Sequence, residues 1–233
     1  MSEQTGILWT ESTWNPWQGC TKTSTGCDNC YMYATKHRYG QEPSVVVRSA
    51  KATFNGPLRW NAPKKVFTCS WSDFFHQGGD EWRAEAWDII RATPQHTYQI
   101  LTKRPERIAQ CLPPDWGTGW PHVWLGVTVE NADYLGRIAL LRQIPAQVRF
   151  LSLEPLLGPM PNLDLVGIHW VIVGGESGAH FRACNPGWVR IVRDQAVAAG
   201  VRFFFKQWGG RSPKAGGREL DGKIWDEFPK CNQ

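Results

Sequence analysis

Val-Trp-Leu-Gly-Val-Thr-Val-Glu-Asn, residues 123–131, decides the fold class of this chain. Its first part, Val123–Val129, is a short apolar run rich in β-branched side chains, which is typical of a buried strand and too short for a buried helix. The run ends at Glu130, and Asn131 is a suitable N-cap for a helix predicted at Ala132–Leu141. A buried strand that ends in a charged residue and leads into a helix is the repeating unit of a parallel α/β sheet.

The same unit recurs through most of the chain. Further strands are predicted at Val66–Ser70, Gln99–Thr102, Arg149–Leu153, Trp170–Val173 and Arg202–Lys206, with further helices at Glu81–Arg91 and Gly187–Ala199. Apolar strands joined by helical crossovers predict a parallel sheet that is covered on both faces. We therefore expect an α/β fold, TIM-barrel-like, with a partial or full parallel β/α barrel.

Each predicted strand is followed by polar or charged residues. These residues include Ser70, Ser72, Asp73, Lys103, Arg104, Glu130, Glu154, Glu176 and Lys206. In a parallel barrel the carboxyl ends of the strands meet on one face, and active sites lie on that face. Loops are ordinarily polar, so one such junction would mean little. Six in succession favour an active-site face, where Lys103 and Lys206 are suitable partners for the Glu130 and Glu154 carboxylates.

Three cysteines precede these units, in the run Trp-Asn-Pro-Trp-Gln-Gly-Cys-Thr-Lys-Thr-Ser-Thr-Gly-Cys-Asp-Asn-Cys-Tyr of residues 14–31. The spacing C-x6-C-x2-C places Cys20, Cys27 and Cys30 in one N-terminal loop. We expect this loop between a strand near Gly6–Thr10 and a helix at Tyr31–Tyr39. Three clustered thiolates hold three irons of a [4Fe–4S] cluster and leave the fourth iron open to a ligand.

A structural zinc site is the alternative for these cysteines. Zinc in structural sites takes four protein ligands, and Cys69, His37 or His76 would have to supply the fourth. The x6 gap, and the barrel predicted to follow the motif, favour iron and sulfide over zinc.

Composition and charge limit the compartment and the partners. No apolar run is long enough to span a bilayer, and no secretion signal is visible, so we expect a cytoplasmic protein without a membrane partner. Cysteines in such a compartment bind metal or do redox chemistry more often than they form disulfides. The formal net charge of +5 is compatible with a nucleic-acid partner. We expect one domain at residues 1–210 and a tail at residues 211–233.

Together these motifs resemble the radical SAM superfamily. Trp-Asn-Pro-Trp-Gln-Gly-Cys, Ser-Asp-Phe-Phe-His, Leu-Thr-Lys-Arg-Pro, Gly-Val-Thr-Val-Glu-Asn, Ser-Leu-Glu-Pro-Leu-Leu-Gly and Gly-Gly-Glu-Ser-Gly are most similar to a phage- and prophage-associated family of radical-SAM-like proteins. The resemblance covers roughly residues 8 to 210. It departs from the common superfamily pattern in the first cysteine gap, which has six residues here instead of three.

The resemblance implies two cofactors, a [4Fe–4S] cluster and S-adenosylmethionine. Cys20, Cys27 and Cys30 would hold the cluster. The residues implied to contact S-adenosylmethionine are Ser70, Ser72, Asp73, Glu130, Gly174, Gly175 and Glu176. Asp73 would take its amino group, and Glu176 would contact its ribose or the substrate. Glu154, Glu176 and Lys103 are the predicted catalytic residues. A flavodoxin- or ferredoxin-type donor would supply the electron.

The sequence therefore predicts a radical SAM enzyme. Reductive cleavage of S-adenosylmethionine would give a radical that abstracts hydrogen from a substrate. The basic chain and the phage-like family favour a nucleic-acid base or nucleotide, and hence DNA modification or repair. Lysines and arginines available for phosphate contacts are Lys64, Lys65, Lys103, Arg104 and Arg107. The alternatives are a non-catalytic nucleic-acid-binding protein with a structural zinc or iron–sulfur site, and a radical SAM maturase acting on a peptide.

Overall fold

Seven parallel strands form the central sheet of the computed structural model, which describes residues 5–230. Residues 1–4 and 231–233, at the ends of the predicted domain and tail, lie outside the described residues. The strands are β1 (Ser12–Trp14), β2 (Trp17–Gln18), β3 (Val47–Arg48), β4 (Lys65–Thr68), β5 (Thr97–Thr102), β6 (Val123–Thr128), β7 (Val148–Leu153), β8 (Trp170–Gly174), β9 (Arg202–Gln207), β10 (Glu219–Leu220) and β11 (Lys223–Ile224). The pairs β2–β3 and β10–β11 are small antiparallel ladders beside the sheet.

The helices lie between these strands, as the sequence predicts. They are α1 (Tyr31–Arg38), α2 (Lys51–Phe54), α3 (Asp80–Ala92), α4 (Ile108–Cys111), α5 (Gly136–Arg142) and α6 (Pro186–Ala198). The helix expected from Ala132 begins as one turn of 3-10 helix, and Asn131 caps that turn by accepting a hydrogen bond from the Asp133 N–H, at 3.0 Å. The α-helix itself starts at Gly136.

The strand order β1-β4-β5-β6-β7-β8-β9 confirms an α/β fold with a parallel sheet. Every neighbour in the central sheet pairs in parallel, and the sheet curls into a half-barrel. Within residues 5–230, β1 and β9 do not pair with each other, so the barrel is partial. The strand predicted at Gly6–Thr10 is wrong, because the first strand begins at Ser12. Residues 6–10 instead form a turn, closed by a hydrogen bond from the Thr10 N–H to the Ile7 carbonyl.

Two apolar layers lie on opposite faces of the curled sheet. On the convex face, Leu125 and Val127 pack beneath the helices. On the concave face, Trp124, Phe150 and Trp170 pack around Trp9 in a separate cluster. Side chains along β6 alternate between the two faces with the two-residue period of a strand. The residues on the same face as Trp124 therefore continue to Glu130, at the end of the barrel.

Part of the segment after residue 210, assigned above to a tail, lies against the edge strand β9. The Phe205 N–H donates to the Trp225 carbonyl at 2.8 Å, and the Glu227 N–H donates to the Phe203 carbonyl at 3.2 Å. Leu220 is fully buried in the convex core. This segment covers backbone groups that an edge strand would otherwise leave open to pairing with another chain. Within residues 5–230, no helix combines the length and apolarity that a membrane span requires.

Gly126 gives a direct test of the concave packing. A Cβ at Gly126 would lie 2.5 Å from ring atoms of Phe150, whereas a Cβ at Gly136 would meet no atom within 4 Å. We expect Gly126→Ala to lower the free energy of unfolding by about 1–3 kcal/mol because it overpacks the interior. Gly136→Ala, the matched control, should change it by less than about 1 kcal/mol. Urea unfolding of both variants measures the difference, and equal effects would contradict the packing described here.

His96 gives a pH-dependent prediction. The residue is fully buried, and its Nε2 lies 3.3 Å from the Pro57 carbonyl oxygen. Burial lowers the pKa of His96, the Pro57 hydrogen bond opposes this, and the Lys64 charge lowers it further. Because the unfolded histidine titrates near about pH 6.5, the unfolded chain takes the proton first as the pH falls. The stabilisation is therefore complete above that pH and is lost towards pH 5.

Urea unfolding at a series of pH values checks this prediction. We expect the free energy of unfolding to decrease from pH 7 to pH 5, and to decrease less steeply in His96→Gln. Other histidines with lowered pKa values contribute to the remaining slope, namely His76, His122 and His169. His37→Gln, at an exposed position of α1, serves as the control. A slope that His96→Gln leaves unchanged would refute the assignment.

Candidate functional site

Charged side chains meet at the carboxyl ends of the strands, as predicted. Lys103 follows β5, and its Nζ contacts Glu130 Oε1 beyond the end of β6. Lys206, near the end of β9, lies with its Nζ 3.0 Å from Glu154 Oε1 beyond the end of β7. Both ion pairs lie on the same rim, which we call the mouth of the half-barrel.

The cysteine loop lies over this mouth. Cys20 follows β2, Cys27 ends a turn of 3-10 helix, and Cys30 directly precedes α1. The Cys30 N–H donates to the Cys27 carbonyl at 3.3 Å, so these two cysteines share one tight turn. Burial raises the pKa of Tyr33, and the charges of all three thiols raise it further. The Tyr33 hydroxyl donates to the Cys20 carbonyl, so this phenol lies beside the cysteine loop.

Glu130 fixes the middle of the loop to the sheet. Its carboxylate is fully buried and accepts hydrogen bonds from Ser24 Oγ, Lys103 Nζ and, at 2.9 Å, Arg137 Nη1. A Cβ at Gly26 would lie 2.5 Å from Glu130 Oε1. Only glycine therefore allows the loop to pass so close to the carboxylate.

Glu176 fixes the same loop from the end of β8. Its Oε2 accepts hydrogen bonds from Asn29 Nδ2 at 3.0 Å and from Arg182 Nε at 2.9 Å. Arg182 also donates to the Thr25 carbonyl of the loop, at 2.9 Å. Burial raises the pKa of Glu176, but the hydrogen bonds from Arg182 and Asn29 outweigh burial and hold it below its usual value. The carboxylate therefore stays charged and paired.

Asp73 fixes the beginning of the loop through Arg104. Its carboxylate accepts hydrogen bonds from Thr102 Oγ1, at 2.7 Å and 2.9 Å, and from the N–H groups of Phe75 and Lys103, both at 2.9 Å. Arg104 Nη1 lies 3.2 Å from Asp73 Oδ2 and 3.6 Å from the Sγ of Cys20. The Asp73 carboxylate is therefore engaged by hydrogen-bond donors of the protein itself.

Ser70 and Ser72 also form hydrogen bonds in or beside the cysteine loop. Ser72 Oγ donates to the Gly19 carbonyl, and the Gly19 N–H donates to the Trp71 carbonyl at 3.0 Å. Asn15 Nδ2 donates to Ser70 Oγ at 3.1 Å. Most of the side chains predicted to contact S-adenosylmethionine thus have partners inside the protein, in or beside the cysteine loop.

At Gly174 and Gly175, neighbouring protein atoms leave no room for a Cβ. A Cβ at Gly174 would lie 2.7 Å from Glu154 Oε1. A Cβ at Gly175 would lie 1.9 Å from the Trp208 carbonyl oxygen. The resemblance implies that these glycines contact S-adenosylmethionine, and in the structure protein atoms occupy the space that a Cβ would take at both positions.

The three thiols differ in how readily they ionise. Burial raises the pKa of Cys27, but the Lys103 ammonium and hydrogen bonds from Thr23 and Ser24 outweigh it, so the pKa lies below its usual value. Burial, together with the nearby Asp73 charge, raises the pKa of Cys20 to about 12. Burial also raises the pKa of Cys30. Cys27 is therefore the thiol of the three that ionises most readily.

Over residues 5–230, no group of three or more His, Cys, Asp or Glu side chains is placed to hold a metal ion. His76, one proposed fourth zinc ligand, is engaged at both ring nitrogens, by Thr21 Oγ1 at 3.0 Å and the Gly78 N–H at 2.9 Å. The thiolates of a [4Fe–4S] cluster bind three different irons and need not converge. Cys27 and Cys20 have a cation nearby, Lys103 and Arg104 respectively.

Sequence reasoning missed the groups that attach the loop. Arg137 and Arg182 carry no motif, and Ser24 and Asn29 are ordinary loop residues by type. Of these residues, only Arg137 could have been identified from the sequence. It lies in the helix that follows Glu130, and the helix after a parallel strand packs back across the end of that strand. A groove of about 980 Å³ lies at the opposite end of the barrel, beside Val148 and Arg202.

Comparisons with known proteins give a family without an assigned activity. A family model described as "Protein of unknown function (DUF5131)" matches residues 4–229. No curated protein matches the chain. No solved structure matches it either.

Proposed function

The chain belongs to the DUF5131 family, and from its site we propose that it is a radical SAM enzyme. One observation carries this proposal: three cysteines lie in a loop that buried carboxylates hold over the mouth of a parallel half-barrel. The carboxyl ends of parallel strands are where such folds place their active sites. A loop with three thiols at that place is suited to a cofactor that takes part in chemistry.

Cys20, Cys27 and Cys30 would hold the [4Fe–4S] cluster. When bound there, the cluster would supply the electron that cleaves S-adenosylmethionine and so starts hydrogen abstraction. Lys103 lies close enough to Cys27 to lower its pKa, and Arg104 contacts Cys20 at 3.6 Å. These two cations offset the negative charge that three thiolates bring to the loop.

Asp73, Glu130 and Glu176 act as positioning residues in this proposal. Each is at least nine-tenths buried, and each is bonded to the cysteine loop or to a residue that contacts it. Their role is to keep the thiols at the mouth, where a 1 Å displacement can cost about 100-fold in rate. This differs from the cofactor contacts that the resemblance implies for them.

Three charged side chains at the mouth remain partly exposed to solvent. The side chains of Lys103, Glu154 and Lys206 are 21%, 14% and 22% exposed. Phe67 and Leu101, which pack with the concave cluster, are also only partly buried. We assign contact with cofactor and substrate to this set of residues.

The substrate class in this proposal is a nucleic-acid base or a nucleotide. The net charge of +5 and the lysines at the mouth support it, because both attract phosphate. The enzyme would act in the reducing cytoplasm, modify or repair DNA, and receive its electron from a flavodoxin- or ferredoxin-type protein. A non-catalytic nucleic-acid-binding protein with a structural zinc or iron–sulfur site is the alternative.

Anaerobic reconstitution tests the proposal. The protein is incubated with iron and sulfide, reduced with dithionite, and examined by electron paramagnetic resonance with and without S-adenosylmethionine. We expect a reduced [4Fe–4S] signal that shifts when S-adenosylmethionine is added, and formation of 5′-deoxyadenosine. A protein that binds one zinc, takes up no cluster and binds DNA in a strongly salt-dependent way would replace the proposal with the alternative.

A further inference from the structure

One loop at the mouth carries positive charge that the protein does not balance. It joins β9 to β10 over residues 208–218, and it contains Arg211, Lys214 and Arg218 but no acidic residue. Arg211 and Lys214 are exposed, and within residues 5–230 neither forms an ion pair. The nearest acidic residue along the chain is Glu219, at the start of β10. This β9–β10 loop therefore presents an excess of positive charge to solvent.

The β9–β10 loop is compact and lies beside the cysteine loop. The Trp208 N–H donates to the Gly217 carbonyl at 3.0 Å, so the two ends of the β9–β10 loop meet. The Gly210 N–H donates to the Glu176 carbonyl, and the Gly210 carbonyl accepts from the Gly178 N–H, both at 2.9 Å. Glu176 is the residue whose carboxylate holds the cysteine loop. The same residue therefore anchors both loops at the mouth.

An exposed aromatic ring lies in the loop that contacts this cationic one. Residues 175–185 join β8 to α6, and Phe181 within them is 38% exposed and belongs to neither apolar cluster. The two charged residues of this segment, Glu176 and Arg182, pair with each other at 2.6 Å. A single exposed ring is ordinary on a protein surface. Beside unpaired cations, it matches the way proteins bind single-stranded nucleic acid, in which cations follow the phosphates and rings stack on bases.

We propose that the β9–β10 loop and Phe181 form the surface that binds a single-stranded nucleic acid while one of its bases enters the mouth. Arg211 and Lys214 would contact phosphates, and Phe181 would stack on a neighbouring base. A single strand suits chemistry on a base, because the base need not be removed from a duplex. This inference rests on the proposed substrate class and narrows it from a free nucleotide to a polymer.

Fluorescence anisotropy with a labelled single-stranded oligonucleotide and the full chain, at a series of salt concentrations, tests the surface. Each phosphate contact to a single strand contributes about 0.7 to the slope of log K against log salt, so Arg211→Gln/Lys214→Gln should reduce that slope by about 1.4. Arg59→Gln/Lys230→Gln removes the same charge at exposed positions outside both loops and should keep the wild-type slope. Phe181→Ala should weaken binding roughly 5- to 150-fold, the value of one stacked base.

Competition separates this partner from others of the same charge. The unlabelled single strand should displace the label at a lower concentration than a duplex or poly-glutamate of equal charge. Equal competition by either would overturn the proposal, and with poly-glutamate would indicate an acidic protein as the partner. Equal slopes for the two double variants would also overturn it. Neither result changes cluster assembly or cleavage of S-adenosylmethionine, so a failure here is distinct from a failure of the proposed function.

Discussion

Cys27→Ala should abolish assembly of an iron–sulfur cluster. Reconstituted wild-type protein should contain roughly four irons and absorb in the visible range, and the variant should lose both. The reason is geometric and electrostatic: Cys27 is the thiol with the lowered pKa, and it lies between Ser24 and Cys30 at the middle of the loop. Formation of 5′-deoxyadenosine should fall by at least about 100-fold, since outer partners of metal ligands alone are worth about 10- to 100-fold.

Cys111→Ala is the matched control for this experiment. Cys111 ends α4, and its Sγ lies 3.8 Å from Arg107 Nη2, outside the cysteine loop. Iron content and product formation should stay at the wild-type level in this variant. If Cys27→Ala also retained a full cluster, the thiols of the loop would not be its ligands, and the proposed function would be wrong.

Glu130→Gln should cause the largest loss of stability among the mouth residues. The carboxylate is fully buried and neutralises Lys103 and Arg137 together, so the amide leaves two cations without their partner. We expect the free energy of unfolding to fall by about 3–5 kcal/mol, the range measured when one partner of a buried ion pair is removed. Urea unfolding monitored by tryptophan fluorescence measures this change.

Glu85→Gln supplies the comparison at the surface. Glu85 pairs with Arg48 at 2.6 Å, but the two side chains are 53% and 30% exposed. Exposed pairs are worth about 0–1 kcal/mol, so this variant should unfold almost as the wild type does. Similar losses for the two variants would mean that the Glu130 network is not what holds the loop.

The sequence predicted the strand–helix repeat and the common rim because both follow from local patterns. The run Val123–Val129 reads as a buried strand from its composition, and Glu130 must then lie at the strand's carboxyl end. Lys103 and Lys206 were also predicted as carboxylate partners, which the ion pairs confirm. Strand periodicity fixes such positions without knowledge of distant residues.

The role of the carboxylates could not be predicted in the same way. Glu176 contacts Asn29 across 147 residues of sequence, and no local pattern carries that pairing. The misplaced first strand has a similar cause. Trp9 lies in an apolar stretch typical of a strand, but its side chain fills the barrel interior and its indole donates to Glu154, 145 residues away. Tertiary packing therefore overrides local propensity at both places.

The long-range anchoring of the cysteine loop has a consequence for synthesis on the ribosome. Arg182 contacts Thr25 across 157 residues, so the loop is complete only after most of the chain has been made. At about 5–20 residues per second, the cysteines would wait roughly 8–30 s before their last anchor exists. Pulsed alkylation of stalled nascent chains, halted before and after residue 182, would show whether thiol protection arises only in the longer chain. In the proposed function, iron and sulfide would therefore be loaded after the last anchor of the loop has been made.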